Sequence, residues 1–227
     1  MVMTDKAQQE RLLSAQEVRE AQAYATAAHE SIGQLRKHTN VPYISHPAAV
    51  ARIVAGSRMA GGANGVAMVA AAWLHDVIED VVRHESRSER EREAMLFDMK
   101  SRFSPRIMAY ALEVTNVATH ADGNRAARCR INLRHIVEAS PQGATIKYAD
   151  IKHNSHDIAE HDVNFAMVYL PEKADVIFQA GQGDHALRQD TIRVLLHGID
   201  KIMPHAGHKH IGGLTRAHRL LTSIREC

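Results

Sequence analysis

Residues 66–80 of the chain read VAMVAAAWLHDVIED, and the first nine of them are all apolar. A helix that is apolar on nearly every side is buried among other helices rather than lying at a surface. The apolar run is far shorter than the ~20 residues that a helix needs to cross a bilayer. The stretch therefore predicts the central helix of a helical bundle, and it gives no sign of a membrane partner.

The rest of the chain also shows mainly helical patterns, which glycine and proline signals separate. No convincing alternating strand pattern, internal repeat or Pro- or Ser-rich linker is visible, so we predict a single all-α domain over 1–227, a bundle of about eight to ten helices. The predicted helices cover residues 14–30 (or begin near Thr4), 48–59, 66–80, 89–103, 104–116, 122–138, 144–159, 172–180, 184–203 and 213–225.

The amino-acid composition and the net charge argue against some classes of function. The 227 residues contain 28 basic and 26 acidic side chains, so the formal net charge is +2, which argues against a dedicated nucleic-acid binder but not against a small anionic substrate. Two cysteines, Cys129 and Cys227, cannot form a disulfide framework, and the beginning of the chain lacks the apolar segment of a secretory signal. We therefore expect a cytoplasmic protein. The high number of histidines, sixteen, raises the question of metal binding.

Four ionisable residues follow the apolar run directly: His75, Asp76, Glu79 and Asp80. In an α-helix His75 and Glu79 share one face and Asp76 and Asp80 share the adjacent one, so all four can converge on one pocket. Acidic groups at the C-terminal end of a helix oppose its dipole, which makes a purely structural role unfavourable. Imidazole beside carboxylate suits manganese, iron or zinc, and the second carboxylate pair could activate a metal-bound water. We predict a metal site here.

Other ligands must come from elsewhere in the chain, and two residues have a suitable context. His46 lies in VPYISHP, residues 41–47, where the following Pro47 favours an extended conformation of His46 before a helix. Asp150 interrupts an otherwise apolar helical stripe in ATIKYADIKHN, residues 144–154.

An early His-Pro, a central His-Asp and a late Asp form the pattern of the HD-superfamily metal-dependent phosphohydrolases. The segments around Arg36-Lys37 and residues 42–47, residues 72–80 and residues 146–154 resemble the hydrolase domain of the RelA/SpoT alarmone family. The resemblance covers roughly residues 20–180 and leaves the C-terminal helices 184–227 outside. Because no synthetase or regulatory region is recognisable, the chain resembles a stand-alone small alarmone hydrolase.

The resemblance implies a manganese-dependent hydrolase that removes the 3′-pyrophosphate of (p)ppGpp, the nucleotide of the stringent response, to give GDP or GTP. It implies four metal ligands: His46, His75, Asp76 and Asp150. Glu79 and Asp80 would position and activate the attacking water. Four side chains would contact the nucleotide: Arg36, Lys37, Lys147 and Asn154. The expected partner is therefore one small nucleotide, with no nucleic acid and no membrane, and a homo-oligomer is compatible with the sequence.

The chain departs from the family pattern on the substrate side. Ile151 follows the late aspartate where a basic residue is usual, Val81 stands where threonine is common after Glu-Asp, and residues 155–157 also differ. Two alternatives therefore stay open. One is hydrolysis of another nucleotide phosphoester, such as a phosphorylated dinucleotide. The other is a nucleotide-sensing module without catalysis, against which the complete set of metal and water residues argues.

Overall fold

A computed structural model describes residues 5–225, and within this range helices and loops make up the chain, with no β-strand. The all-α prediction is confirmed. The α-helices are α1 (Asp5–Leu13), α2 (Gln16–Ser31), α3 (Ser45–Ala55), α4 (Gly65–Leu74), α5 (Glu89–Arg102), α6 (Pro105–Val114), α7 (Arg125–Val137), α8 (Pro141–His161), α9 (Val163–Gln179), α10 (His185–Ile202) and α11 (His208–Arg225). No helix among these residues is long and apolar enough to cross a membrane.

The eleven α-helices of residues 5–225 exceed the predicted eight to ten because the first predicted helix is two helices. The hydroxyl of Ser14 donates to the carbonyl of Arg11 (3.1 Å) where α1 ends, and α2 begins at Gln16. Serine competes in this way for backbone carbonyls, which favours helix ends. Thr4, the other predicted start, lies outside the described residues, as does Cys227.

Two helices near the C-terminus begin earlier than predicted. α9 begins at Val163 rather than at residue 172 because the Asp162 side chain accepts from the backbone amide of Phe165 (3.0 Å) and caps the helix, and Pro171 is tolerated inside it. α11 begins at His208 rather than at residue 213.

The chain divides into two compact units, residues 1–116 and 117–227, and the single domain over 1–227 stays a prediction. In the first unit α4 packs against α2, α3 and α6, and its side chains from Met68 to Leu74 are all buried. The central position predicted for this helix is therefore confirmed. Gly65 permits its start, since a Cβ there would lie 1.9 Å from the carbonyl oxygen of Ala60.

The second unit contains α7 to α11, in which α8 packs against α10 and α9 against α11. Residues 143–151 of α8 are buried without interruption. The hydroxyl of Tyr148 donates to the carbonyl of Ala180, and Gly183 lies so close to the Tyr148 ring that a Cβ would approach it to 2.5 Å. These contacts fix α8 and its polar side chains inside the unit.

Candidate metal centre

The His-Asp motif lies where the central helix changes its hydrogen-bonding pattern. α4 ends at Leu74, and residues Val77–Val82 form a π-helical turn. The predicted continuous α-helix over residues 66–80 is therefore interrupted between Leu74 and Val77, although the backbone amide of Asp80 still donates to the carbonyl of Asp76 (2.8 Å). Val77, Ile78, Val81 and Val82 are buried, so their packing in the core fixes the orientation of the turn. Single π-helical turns occur frequently at functional sites.

Three of the four predicted metal ligands meet in the first unit. The Nε2 atom of His75 lies 2.9 Å from Oδ2 of Asp76, and Nε2 of His46 lies 3.5 Å from the same oxygen. The two Nε2 atoms are 3.3 Å apart, and the three ligand atoms all lie within 4.8 Å of one another. Two neutral imidazoles and a carboxylate are donors that divalent transition metals prefer. His46, His75 and Asp76 could therefore bind a divalent metal.

His46 reaches this place from the first turn of α3. The backbone amide of His46 donates to the carbonyl of Tyr43 (2.9 Å), so His46 is helical and the extended conformation predicted from Pro47 is wrong. Proline is well accommodated in the first turn of a helix, where its missing amide proton has no helical partner to lose. The His46 ring is fully buried.

Hydrogen bonds to neighbouring groups orient two of the candidate metal ligands, His75 and Asp76. Nδ1 of His75 lies 2.8 Å from the carbonyl oxygen of Ala72, which accepts its proton, so Nε2 is the ring nitrogen that is oriented toward Asp76 and could bind a metal. The hydroxyl of Tyr43 donates to Oδ2 of Asp76 (2.7 Å). Burial alone would raise the pKa of Asp76, but His75 and His46 outweigh it and hold the pKa well below its ordinary value. Asp76 is thus an anion.

The two acidic residues of the π-helical turn have different environments. Glu79 accepts hydrogen bonds from the backbone amide (3.2 Å) and the Nδ2 atom (3.0 Å) of Asn116. Asp80 accepts one from Nε2 of Gln34 (2.8 Å). Burial, with the neighbouring charge of Asp76 as the next cause, raises the pKa of Asp80 to about 7. A carboxyl group with that pKa can exchange a proton near neutral pH.

The loop between α2 and α3 carries the two predicted nucleotide contacts of this unit. An isolated bridge between Leu35 and Pro42 closes the loop, and the amide of Arg36 donates to the carbonyl of Val41 (2.9 Å). The guanidinium carbon of Arg36 lies 5.8 Å from the centre of the Tyr43 ring. Lys37 is exposed. The loop thus presents two cations from a structured hairpin.

The other three predicted residues meet on α8 in the second unit. Nζ of Lys147 lies 2.9 Å from Oδ2 of Asp150, and Nδ2 of Asn154 donates to Oδ1 of Asp150 (2.7 Å). Lys147 and Asp150 are both buried. Burial, followed by the charge of Lys147, lowers the pKa of Lys173 nearby. The structure therefore places Asp150 with the buried Lys147 and the half-buried Asn154 in one polar group on α8.

Sequence reasoning assigned no role to three residues that contact the site. These are Gln34, Tyr43 and Asn116, which bond to Asp80, Asp76 and Glu79 respectively. Tyr43 lies inside the quoted motif of residues 41–47, which was a usable signal. Gln34 and Asn116 carry no comparable signal, because their partners lie 46 and 37 residues away in the chain.

Comparison with known proteins agrees with this geometry. A family model described as HD domain matches residues 21–123, which include His46, His75 and Asp76. The chain is 29% identical over 140 residues to guanosine-3′,5′-bis(diphosphate) 3′-pyrophosphohydrolase MESH1 of Xenopus tropicalis, covering 61% of this chain and 68% of the relative. The mouse protein of the same name is 29% identical over 133 residues (58% and 65%), and the human protein 28% over 140 residues (61% and 68%). The matched segments span about two thirds of each relative. Residues 21–123 are therefore similar to an HD domain, and the two histidines and the aspartate within them could hold a divalent metal.

Proposed function

We propose that this protein is a manganese-dependent hydrolase that removes the 3′-pyrophosphate of (p)ppGpp, giving GDP or GTP and pyrophosphate. The observation that carries the proposal is the meeting of His46, His75 and Asp76 beside a second carboxyl group, Asp80, whose pKa is raised to about 7. The relatives named as 3′-pyrophosphohydrolases of guanosine-3′,5′-bis(diphosphate) support the choice of substrate.

The three ligands of the first unit would hold the metal through His46 Nε2, His75 Nε2 and the Asp76 carboxylate. The bound metal would neutralise charge on a phosphoryl oxygen and lower the pKa of water. Glu79 and Asp80 would hold the attacking water, and Asp80 would accept its proton, since its pKa lies close to neutrality. The water oxygen bonds to phosphorus while the bond from that phosphorus to the 3′ oxygen breaks, and the 3′ oxygen takes up a proton.

The substrate is a polyanion, so cations must hold the part of it that does not react. The exposed Lys37 and the neighbouring Arg36 are placed on the hairpin loop for this role. The family resemblance assigns Asp150 to the metal and Lys147 and Asn154 to the nucleotide. We keep these three roles as part of the proposal. An Asp150→Asn variant with unchanged manganese affinity would remove Asp150 from the ligand set.

The direct test is incubation of the purified protein with manganese and ppGpp, with nucleotides and pyrophosphate separated by ion-exchange chromatography. We expect GDP and pyrophosphate from the wild type and none from His75→Ala or Asp76→Ala. His120→Ala, which removes an exposed imidazole on a different part of the chain, is the matched control and should retain full activity. Full activity in His75→Ala would contradict the proposal.

A second candidate keeps the same residues but acts on another nucleotide phosphoester. It is favoured by Ile151, which is fully buried at the position where the resembling family carries a basic residue. A panel of guanine and adenine nucleotides and phosphorylated dinucleotides distinguishes the two. Turnover of a dinucleotide with none of ppGpp would select this second candidate.

A further inference from the structure

A chain of two hydrogen bonds joins a buried histidine outside the metal ligands to Asp80. Nδ1 of His29 lies 2.6 Å from Oε1 of Gln34, and Nε2 of Gln34 donates to Oδ2 of Asp80 at 2.8 Å. His29 comes from the last turn of α2, Gln34 from the loop that follows, and Asp80 from the π-helical turn. The three side chains therefore link separate elements of the first unit.

The chemistry of Asp80, Gln34 and His29 determines which group donates and which accepts in each of the two hydrogen bonds. An ionised Asp80 only accepts hydrogen bonds, so the Gln34 amide must present its NH₂ group to Asp80 and its oxygen to His29. That oxygen needs a donor, which is a proton on Nδ1 of His29. If His29 carried its proton on Nε2 instead, two acceptors would face each other at 2.6 Å, and the amide would turn its oxygen toward Asp80.

The surroundings of His29 favour this tautomer. The ring is 1% exposed and packs against the Tyr43 ring with centroids 4.8 Å apart. Its Nε2 atom is buried and has no hydrogen-bond partner among the described residues, so a proton there would be left without an acceptor. Burial lowers the pKa of His29, which keeps the ring neutral.

We propose that His29 and Gln34 are positioning residues that hold the Asp80 carboxylate in the orientation needed to receive the proton of the attacking water. This inference rests on the proposed function for the role of Asp80. His29 selects the orientation of the Gln34 amide, and Gln34 in turn donates to Oδ2 of Asp80. Neither residue is a metal ligand, so their loss acts on the turnover rate rather than on metal binding.

Substitutions can separate the two bonds. Gln34→Met keeps the size of the side chain but cannot donate, and His29→Leu removes the Nδ1 donor. His29→Asn is the conservative variant, because the asparagine NH₂ group can replace the Nδ1 proton. We expect kcat for ppGpp to fall about tenfold or more in Gln34→Met and His29→Leu, with KM and manganese affinity within about threefold of wild type. His29→Asn should recover most of that loss.

The double variant gives the sharpest result. If His29 acts through Gln34, adding His29→Leu to Gln34→Met causes no further loss of kcat, because the path is already broken. The inference would be overturned if the two losses of kcat multiplied in the double variant. It would also be overturned if manganese affinity fell by the same factor as kcat. Equal thermal melting temperatures for the variants confirm that the comparison is made between folded proteins.

A measurement that needs no activity separates this inference from the proposed function. Long-range ¹H–¹⁵N NMR of the wild type, with the His29 signals assigned by their loss in His29→Asn, reports which ring nitrogen carries the proton. A proton on Nδ1 supports the inference, and a proton on Nε2 overturns it. Failure of the wild type to hydrolyse ppGpp would instead overturn the proposed function, and the NMR result would still decide the hydrogen-bond chain.

Discussion

Replacing Asp80 with asparagine should stabilise the metal-free protein at pH 8 and have much less effect at pH 5. Burial, with the charge of Asp76 next, raises the pKa of Asp80 from 3.8 to about 7. Asp80 therefore binds its proton more tightly in the folded than in the unfolded state. As the pH rises through the window between these two values, unfolding releases a proton and the wild type loses stability. The asparagine variant has no such proton, and its oxygen can still accept from Gln34.

The expected change in the free energy of unfolding follows from the pKa shift of Asp80. Each pKa unit corresponds to about 1.4 kcal/mol, so a shift of about three units corresponds to at most about 4 kcal/mol over the whole window. Between pH 5 and pH 8 the stability of the variant relative to wild type should rise by about 3 kcal/mol. Asp80→Asn would thus raise the stability of the protein while removing a carboxylate that activity needs.

Urea unfolding in the presence of a chelator measures this difference at each pH. Trp73 is the single tryptophan of the chain and is buried in α4, so its fluorescence reports on the unit that contains Asp80. Glu30→Gln, which neutralises an exposed carboxylate on α2, is the matched control. The reasoning would be refuted if the difference in free energy of unfolding between Asp80→Asn and wild type changed by less than about 0.5 kcal/mol from pH 5 to pH 8.

Other substitutions test the surroundings of the site. Tyr43→Phe removes the hydrogen bond to Asp76 and should weaken manganese binding about tenfold in calorimetry; unchanged affinity would show that the hydroxyl does not orient this ligand. Asn116→Ala removes the side-chain hydrogen bond to Glu79 and keeps the one from the backbone amide, and it should lower kcat about tenfold without changing KM, whereas an equal rise in KM would point to substrate binding instead. Ser88→Ala breaks the capping box of α5 and should cost about 1 kcal/mol in urea unfolding at full activity, and a loss of activity would contradict its purely structural role.

The central helix was predictable because its side chains show the pattern of complete burial over residues 66–74, and burial of one segment is a local property of the sequence. The π-helical turn at Val77–Val82 was not, because it depends on how Val81 and Val82 pack in the core rather than on local propensity. The first two helices were predicted as one for a similar reason, since Ser14 ends α1 through a hydrogen bond that helical periodicity does not reveal.

The candidate metal ligands also show that contacts between distant parts of the chain cannot be predicted from local sequence patterns. His75 and Asp76 stood out as charges after an apolar helix, but His46, 29 residues earlier, was identified as a ligand through the family resemblance. The packing of α3 on α4 is what brings its ring to His75. Gln34 and His29 were not assigned to Asp80, because the bond that joins them to it spans 46 residues and depends on the fold of the loop after α2.

The most direct test of the central claim is the hydrolysis of ppGpp by the purified chain with manganese in water enriched in ¹⁸O. The account predicts equimolar GDP and pyrophosphate, with the heavy oxygen in the pyrophosphate, because water attacks the phosphorus attached to the 3′ oxygen. The same reaction with Asp76→Ala should give no product. A wild type that binds manganese but releases neither pyrophosphate nor GDP, or that releases orthophosphate stepwise, would contradict the account.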